Sequence, residues 1–399
     1  AEALRTDQNR FDATAQDDFK KIPGSPVAYW VSDRARENYI SGITLENIAV
    51  PKQGATTSDN NRFLRVWSEV SIQSIGFGLR SREAAKESSY KWFPYNKGGS
   101  YRRWYGNQDF VVNFANDGEE IRAFHDILNQ TSPGGRLKNQ DCYFKPQLSW
   151  SKISSGEFSV RYFPQGFIFD VAGSAVFPDD SEELNAIAGL LNSSVSTYYL
   201  AALSPTVNYE AEHLRKIPYL PVISLCFEAL VSLSRQDWDS YETSWEFESQ
   251  PLVQIALDGK STIEACYSHW VNVNQQRVAE MRRLEEDNNH LYIEAYGLAG
   301  EIDPAVKNKQ VALTGNPAYR YESSISEGIW SRFNYDCVVE LVSYSIGCMM
   351  GRYSLDTPSL IYAHTGNEGF DPSRYNTFPA DDDGIVPITD EAWFDDDGA

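Results

Sequence analysis

An α+β fold, with a mixed-sheet lobe followed by a helical region built on one long amphipathic helix, is predicted by three features of this 399-residue chain. Short β-branched and aromatic runs separated by Gly, Asn, Pro and Ser turns fill residues 46–220. From residue 221 onward the apolar residues recur at helical spacing instead. Within that second region Met281, Leu284, Asn288, Leu291 and Ala295 step by three and four along Ser261–Leu298, with charges between them, as a hairpin or short coiled coil requires.

In chain order, residues 1–45 read as helical and then irregular, with a turn at Ile22–Pro26, and resemble the tail of something larger. Strands are expected at FLRVWSEV, DFVVNF, FSVRYF and GFIFDVAG. One helix interrupts them, over EELNAIAGLLNSSVSTYYLAAL, where Leu184, Ile187, Leu190, Leu191, Val195 and Tyr198 share a face. The long helix of the 221–365 region should stop at Gly297, and a second apolar helix should run from Ile329 to Tyr353. Residues 366–399 are acidic and rich in turn formers, and read as a tail.

The formal net charge is -21, but it is uneven. Pro51–Asp170 carries 16 Lys and Arg against 12 Asp and Glu, about +4, which leaves about -25 for the rest. A basic middle of this kind can take a polyanion when its cations converge on one face. Five cysteines at wide spacings suit free thiols rather than a disulfide framework, and the five histidines form no metal-ligand pattern. No apolar run reaches the length of a membrane span and no hydrophobic signal core opens the chain, so a cytoplasmic protein with no membrane partner is expected.

Enzymatic motifs fail on context. Asn316–Tyr319 reads NPAY, one residue from the NPPY that grips a flipped adenine, but a helix and a polar stretch precede it where a buried strand is required, and it reads as a turn. GFG at Gly76–Gly78 and YGLAG at Tyr296–Gly300 lack the strand, glycine turn and helix of a cofactor loop. No phosphate loop, nucleophile elbow or HExxH is present, so no catalytic residue or metal ligand is assigned and no cofactor is expected in this chain.

Binding chemistry is better represented. GATTSDNNRFLRVW supplies hydroxyl and amide groups followed by Arg62 and Arg65. In KWFPYNKGGSYRRWYGN, Lys97, Arg102 and Arg103 alternate with rings including Trp104, and Gly98 and Gly99 let backbone approach a ligand. SWSKISSGEFSVRYFPQGF adds Lys152 and Arg161. Rings and cations of this kind suit nucleic acid or carbohydrate.

Read in order, these segments resemble the adenine-specific DNA methyltransferases of BREX phage-defence systems, the PglX family, downstream of their catalytic domain. The signposts are IPGSPVAYWVS, GATTSDNNRFLRVWSEV, the KWFPYNKGGSYRRWYGN segment, LSWSKISSGEFSVRYFPQGF, GLLNSSVSTYYLAAL, LYIEAYGLAGEI, NPAYRY, GCMMGRYSLD and DDDGIVPITDEAWF. The loop and WSKISS segments also resemble target-recognition regions of type II restriction-methyltransferase fusions. The resemblance implies an S-adenosyl-L-methionine (SAM)-dependent parent that methylates adenine in a short double-stranded site, with residues 1–45 as a connector from a missing catalytic domain and target recognition over residues 46–220. It marks Thr57, Asn60, Arg62, Lys97, Arg102, Arg103 and Lys152 as DNA contacts, and replacing Arg102 and Arg103 should weaken duplex binding and flatten its salt dependence. A rival reading is a protein-interaction module that docks other BREX components or an acidic phage DNA-mimic inhibitor.

Overall fold

Each of the four runs expected as strands holds one. The computed structural model describes residues 16–377 apart from 42, 132–133, 155–156, 205, 207, 260–261, 322–327 and 362–370. The strands are β1 (Ile43–Thr44), β2 (Leu64–Val66), β3 (Trp92–Asn96), β4 (Phe110–Asn113), β5 (Gln147–Ser149), β6 (Arg161–Phe163), β7 (Ile168–Phe169), β8 (Ala175–Val176) and β9 (Pro218–Tyr219). They make a mixed sheet in the order β2-β4-β3-β7, an antiparallel sheet β6-β5-β8 and a short β1-β9 ladder. In the mixed sheet only β3 and β7 run parallel, with Tyr95 opposite Ile168 and Asn96 opposite Phe169.

The strands are short because turns and left-handed residues cut them off. Around the mixed sheet, Phe93, Phe114, Tyr143, Phe144 and Phe169 form a chain of edge-on rings with centroids 5.8–6.3 Å apart, the geometry favoured by the ring quadrupole. A helix at Ala115–Thr131 packs beside them, and sequence reading misses it. Its amphipathic face (Ile121, Phe124) is legible, but Asn116, Asp117 and Gly118 open it with three consecutive positive φ angles, a start that carries none of the usual capping signals. Asp117 is held there by Arg82 through Nε and Nη2, at 2.9 and 2.5 Å.

The single helix expected after Pro178 is two helices, Ser181–Leu191 and Ser194–Leu203. Asn192 leaves the helical path to exchange hydrogen bonds with the Val160 backbone, and Ser193 then caps the second helix. The long helix spans Ile263–Tyr296, about 51 Å at 1.5 Å per residue, and ends at left-handed Gly297. The second apolar helix spans Ile329–Met349. Most of the stretch expected as an acidic tail lies outside the described residues.

The largest core joins the N-terminal segment, the antiparallel-sheet region and the helices, while the mixed sheet packs a core of its own around Phe63, Phe93, Tyr95 and Phe114. Ile22, Val31 and Leu45 meet Trp150 and Val160 of the sheet region, Leu190 and Tyr199 of the paired helices, and Met281, Tyr292 and Tyr296 of the long helix. Asn288 on that helix is also buried, donating to the Gly189 carbonyl at 2.9 Å and accepting from Ser224 Oγ at 2.8 Å. Among the described residues, all five cysteines are free thiols, no three His, Cys, Asp or Glu side chains cluster as metal ligands, and no helix is long and apolar enough to cross a membrane.

Candidate nucleic-acid interface

The Gly54–Asn60 loop is stitched to the lobe at its base and free at its tip. Ala55 N–H donates to Phe169 O at 2.7 Å, Val171 N–H to Ala55 O at 2.9 Å and Thr56 N–H to Arg136 O at 2.9 Å. Gly54 allows that approach, since a Cβ there would stand 1.9 Å from Phe169 O. Gly54→Ala is therefore expected to cost about 1–3 kcal/mol of stability, seen as a lower urea midpoint. Thr57 lies inside the loop and donates its hydroxyl to Asn60 Oδ1 at 2.6 Å. His125 closes the loop from below, with Nε2 3.3 Å from Thr57 O and 3.4 Å from Ser58 Oγ. Asp59 then caps the short helix Asn60–Phe63 by accepting the Arg62 N–H at 3.1 Å.

This scaffold presents Asn60 and Arg62 to solvent. The Arg62 guanidinium rests over Phe63 and Phe124, 5.0 and 5.4 Å from the ring centroids. Arg65, on β2, is anchored to the Asn61 and Leu64 carbonyls at 2.6 Å. Its guanidinium and the Lys91 ammonium each lie 5.7 Å from the Trp92 ring, so two cations share one aromatic platform. Exposed Arg136 borders the loop. Among the described residues, Arg62, Arg65, Lys91 and Arg136 have no carboxylate within ion-pair distance, whereas neighbouring Arg82 and Arg122 are both bound to Asp117. Sequence reading places Lys91 among the cations that alternate with rings in its segment but not among the expected DNA contacts, and it does not single out Arg136, which is legible only from the fold.

The other expected contacts are placed differently. Lys97 pairs with buried Asp170 at 2.9 Å, and Lys152 pairs with Glu210 at 2.9 Å. Arg102, Arg103, Trp104 and Arg161, expected at a DNA surface, are all buried in the protein. Arg102 Nη2 is 2.7 Å from Asp237, Nη1 donates to Thr314 Oγ1 at 2.9 Å, Nε donates to Tyr105 O at 2.8 Å, and the guanidinium sits 5.0 Å over the Trp238 ring. Arg103 lies 3.4 Å from Glu285 and 3.2 Å from Glu157. Trp104 Nε1 donates to Glu285 Oε1 at 2.7 Å. Burial pushes the Glu285 carboxyl above its ordinary value, with Arg103 and the Trp104 N–H pulling it back. Arg161 donates to Ser151 Oγ at 3.0 Å and to Arg102 O at 3.4 Å, has no carboxylate partner among the described residues, and is pushed by burial down to about 10, still cationic at neutral pH.

The inward turn has a backbone cause. Gly98, Gly99 and Gly106 take φ of 85°, 131° and 122°, and Trp104 and Asn107 are left-handed, so the YRRWY stretch folds back on the lobe. Trp104 then pairs through its backbone with Val160 O and Tyr162 N–H. The acceptors on the helical side, Asp237 and Glu285, stand among polar and charged neighbours in sequence, Arg235, Gln236 and Asp239 for the one and Arg283, Glu286 and Asp287 for the other, so no local signal marks them as partners for buried cations.

NPAY forms a helix cap. Asn316 donates both amide hydrogens inside the protein, to Asn308 O at 2.7 Å and Val311 O at 2.8 Å, and its Oδ1 accepts from Ala318 N–H. Tyr319 donates its hydroxyl to Tyr101 O. None of that Asn's amide hydrogens is left for a flipped base.

No protein-family model matches the chain. It is 37% identical over 398 residues to the adenine-specific methyltransferase BrxX of Escherichia coli O9:H4 (strain HS), and 36% identical over 395 residues to the adenine-specific methyltransferase PglX of Lacticaseibacillus casei (strain Zhang). Those alignments cover 98% and 96% of this chain but only 31% of each relative. Along almost its whole length, the chain is thus a homologue of a segment that makes up less than a third of BrxX- and PglX-type adenine-specific methyltransferases.

Proposed function

We propose that this chain recognises double-stranded DNA for a BREX-type, SAM-dependent adenine methyltransferase that marks host DNA in phage defence. The observation that carries the reading is the solvent-facing set Asn60, Arg62, Arg65, Lys91 and Arg136 around a loop fixed from beneath. Among the described residues no carboxylate pairs with its cations, although the chain as a whole is strongly acidic. Free cations on aromatic platforms suit phosphates, and the loop tip with Asn60 suits a base edge in a groove. Lys97 and Lys152, partly exposed and held by carboxylates, serve as secondary contacts.

SAM and catalysis belong elsewhere in the parent on this reading. Gly76–Gly78 follows a 3-10 turn and Gly297–Gly300 follows a helix, so neither glycine group links a strand to a helix N-terminus, and no step through SAM is assigned here.

Replacing Arg62, Arg65 and Lys91 together by Ala is expected to weaken duplex binding and to reduce the salt slope of log K by roughly 0.9 for each phosphate that is no longer neutralised. Titrations by fluorescence anisotropy at several salt concentrations measure both quantities. An unchanged slope would defeat the assignment. An acidic DNA-mimic protein would dock on the same cations, and it should compete with duplex for the wild-type chain and bind the triple variant poorly.

A further inference from the structure

The Ile329–Met349 helix buries one face and leaves the opposite one bare. Phe333, Cys337, Tyr344, Gly347 and Cys348 are buried against the protein. On the other side Tyr335, Val339, Val342, Ile346 and Met349 are 43–61% exposed. Their spacing is four, three, four, three, which is the seam of a coiled coil, whereas the buried residues occupy the positions opposite it. Exposed Val338 and Met350 flank the seam, and from Val339 to Met349 it carries no charge; Arg332 stands at its N-terminal end, with the guanidinium 5.4 Å from the Tyr335 ring centroid.

We propose that this seam pairs two copies of the chain in an antiparallel, two-fold arrangement. A seam with heptad period fits another helix of the same period better than it fits a flat surface or an extended strand. It is also self-complementary, as a two-fold interface must be. With the axis beside Tyr344, Val339 of one copy meets Met349 of the other and Val342 meets Ile346, so each layer sets a smaller side chain against a larger one. This register also sets Val338 against Met350 and leaves Tyr335 beyond the end of the partner helix, so Val338, Val339, Val342, Ile346, Met349 and Met350 contribute roughly 600 Å² per copy, the size of a weak, reversible interface. The formal charge of -21 on each copy opposes association, but that repulsion acts at long range outside an uncharged seam and is screened by salt. Pairing should therefore tighten as salt rises, opposite in sign to DNA binding.

Sedimentation of the chain across protein concentration, at low and high salt, tests the proposal. A monomer–dimer equilibrium that shifts toward dimer at high salt is expected. Val342→Glu and Ile346→Glu, each on an exposed face with the fold checked by circular dichroism, should weaken it by roughly 100-fold or more, while Val342→Leu keeps it. A chain that stays monomeric at high salt, or a dimer that Val342→Glu leaves intact, overturns the pairing. DNA binding by Val342→Glu should be unchanged in salt slope per chain, which separates this surface from the proposed DNA face.

Discussion

Asp237→Ala should lower the unfolding free energy by about 3–5 kcal/mol, the usual result of removing one partner from a buried ion pair. Asp237 is 1% exposed and receives three donors: Arg102 Nη2 at 2.7 Å, Thr314 N–H at 2.7 Å and Gly315 N–H at 2.8 Å. Alanine strands a buried guanidinium and two backbone donors at once. Asp237→Asn keeps the shape and one acceptor oxygen, so it should fall between wild type and alanine. Urea denaturation followed by tryptophan fluorescence measures the change, with Trp238 beside Arg102 as a local reporter. A midpoint equal to that of wild type would mean that the pair contributes nothing. The same geometry recasts the Arg102 and Arg103 double alanine variant: its expected effect is loss of fold, not a flatter salt slope for DNA.

Glu285→Ala should cost about 3 kcal/mol, because Trp104 Nε1 loses its acceptor and Arg103 loses the more deeply buried of its two carboxylates. Glu285→Gln retains an acceptor for Trp104 and should cost about 1 kcal/mol. The pair of variants also separates charge from hydrogen bonding through pH. Burial raises the folded-state value of Glu285 above its ordinary 4.5, so between those two values the native state binds more protons than the unfolded state. Stability from this group is thus fully present below pH 4.5 and is lost as pH rises through the raised folded value. Wild type should lose stability relative to Glu285→Gln over that window, and parallel curves for the two proteins would remove the titration from the account.

Much of the fold is legible in the sequence, and the reasons are physical. Strand runs such as DFVVNF combine β-branched residues with turn formers at both ends, so local preference and tertiary demand agree. The Gly297 stop agrees for the same reason, as a left-handed cap favours glycine. The break at Asn192–Ser193 is not legible, since it depends on a hydrogen-bond exchange with Val160, thirty-two positions earlier in the chain. At the candidate site, Asn60, Arg62 and Arg65 could be read from the loop alone. Buried Trp104 and Arg161 could not, and neither could Arg102 and Arg103, because composition does not distinguish a cation held by a distant carboxylate from one held by phosphate. Five positive φ angles between Gly98 and Asn107 decide that question, and they turn the segment inward.

The core shared by the N-terminal segment, the antiparallel-sheet region and the helices separates positions that tolerate change from positions that do not. Residues that face solvent around the loop, Asn60, Arg62, Arg65 and Lys91, can be exchanged without disturbing the packing of Trp150, Tyr199 and Tyr292 on which the connector and helices depend. Arg102, Arg103 and Asp237 have no such freedom, because each change breaks a contact between the sheets and the helices. Substitution is therefore cheaper for the fold at those surface positions than at the buried cationic pair that most resembles a DNA contact.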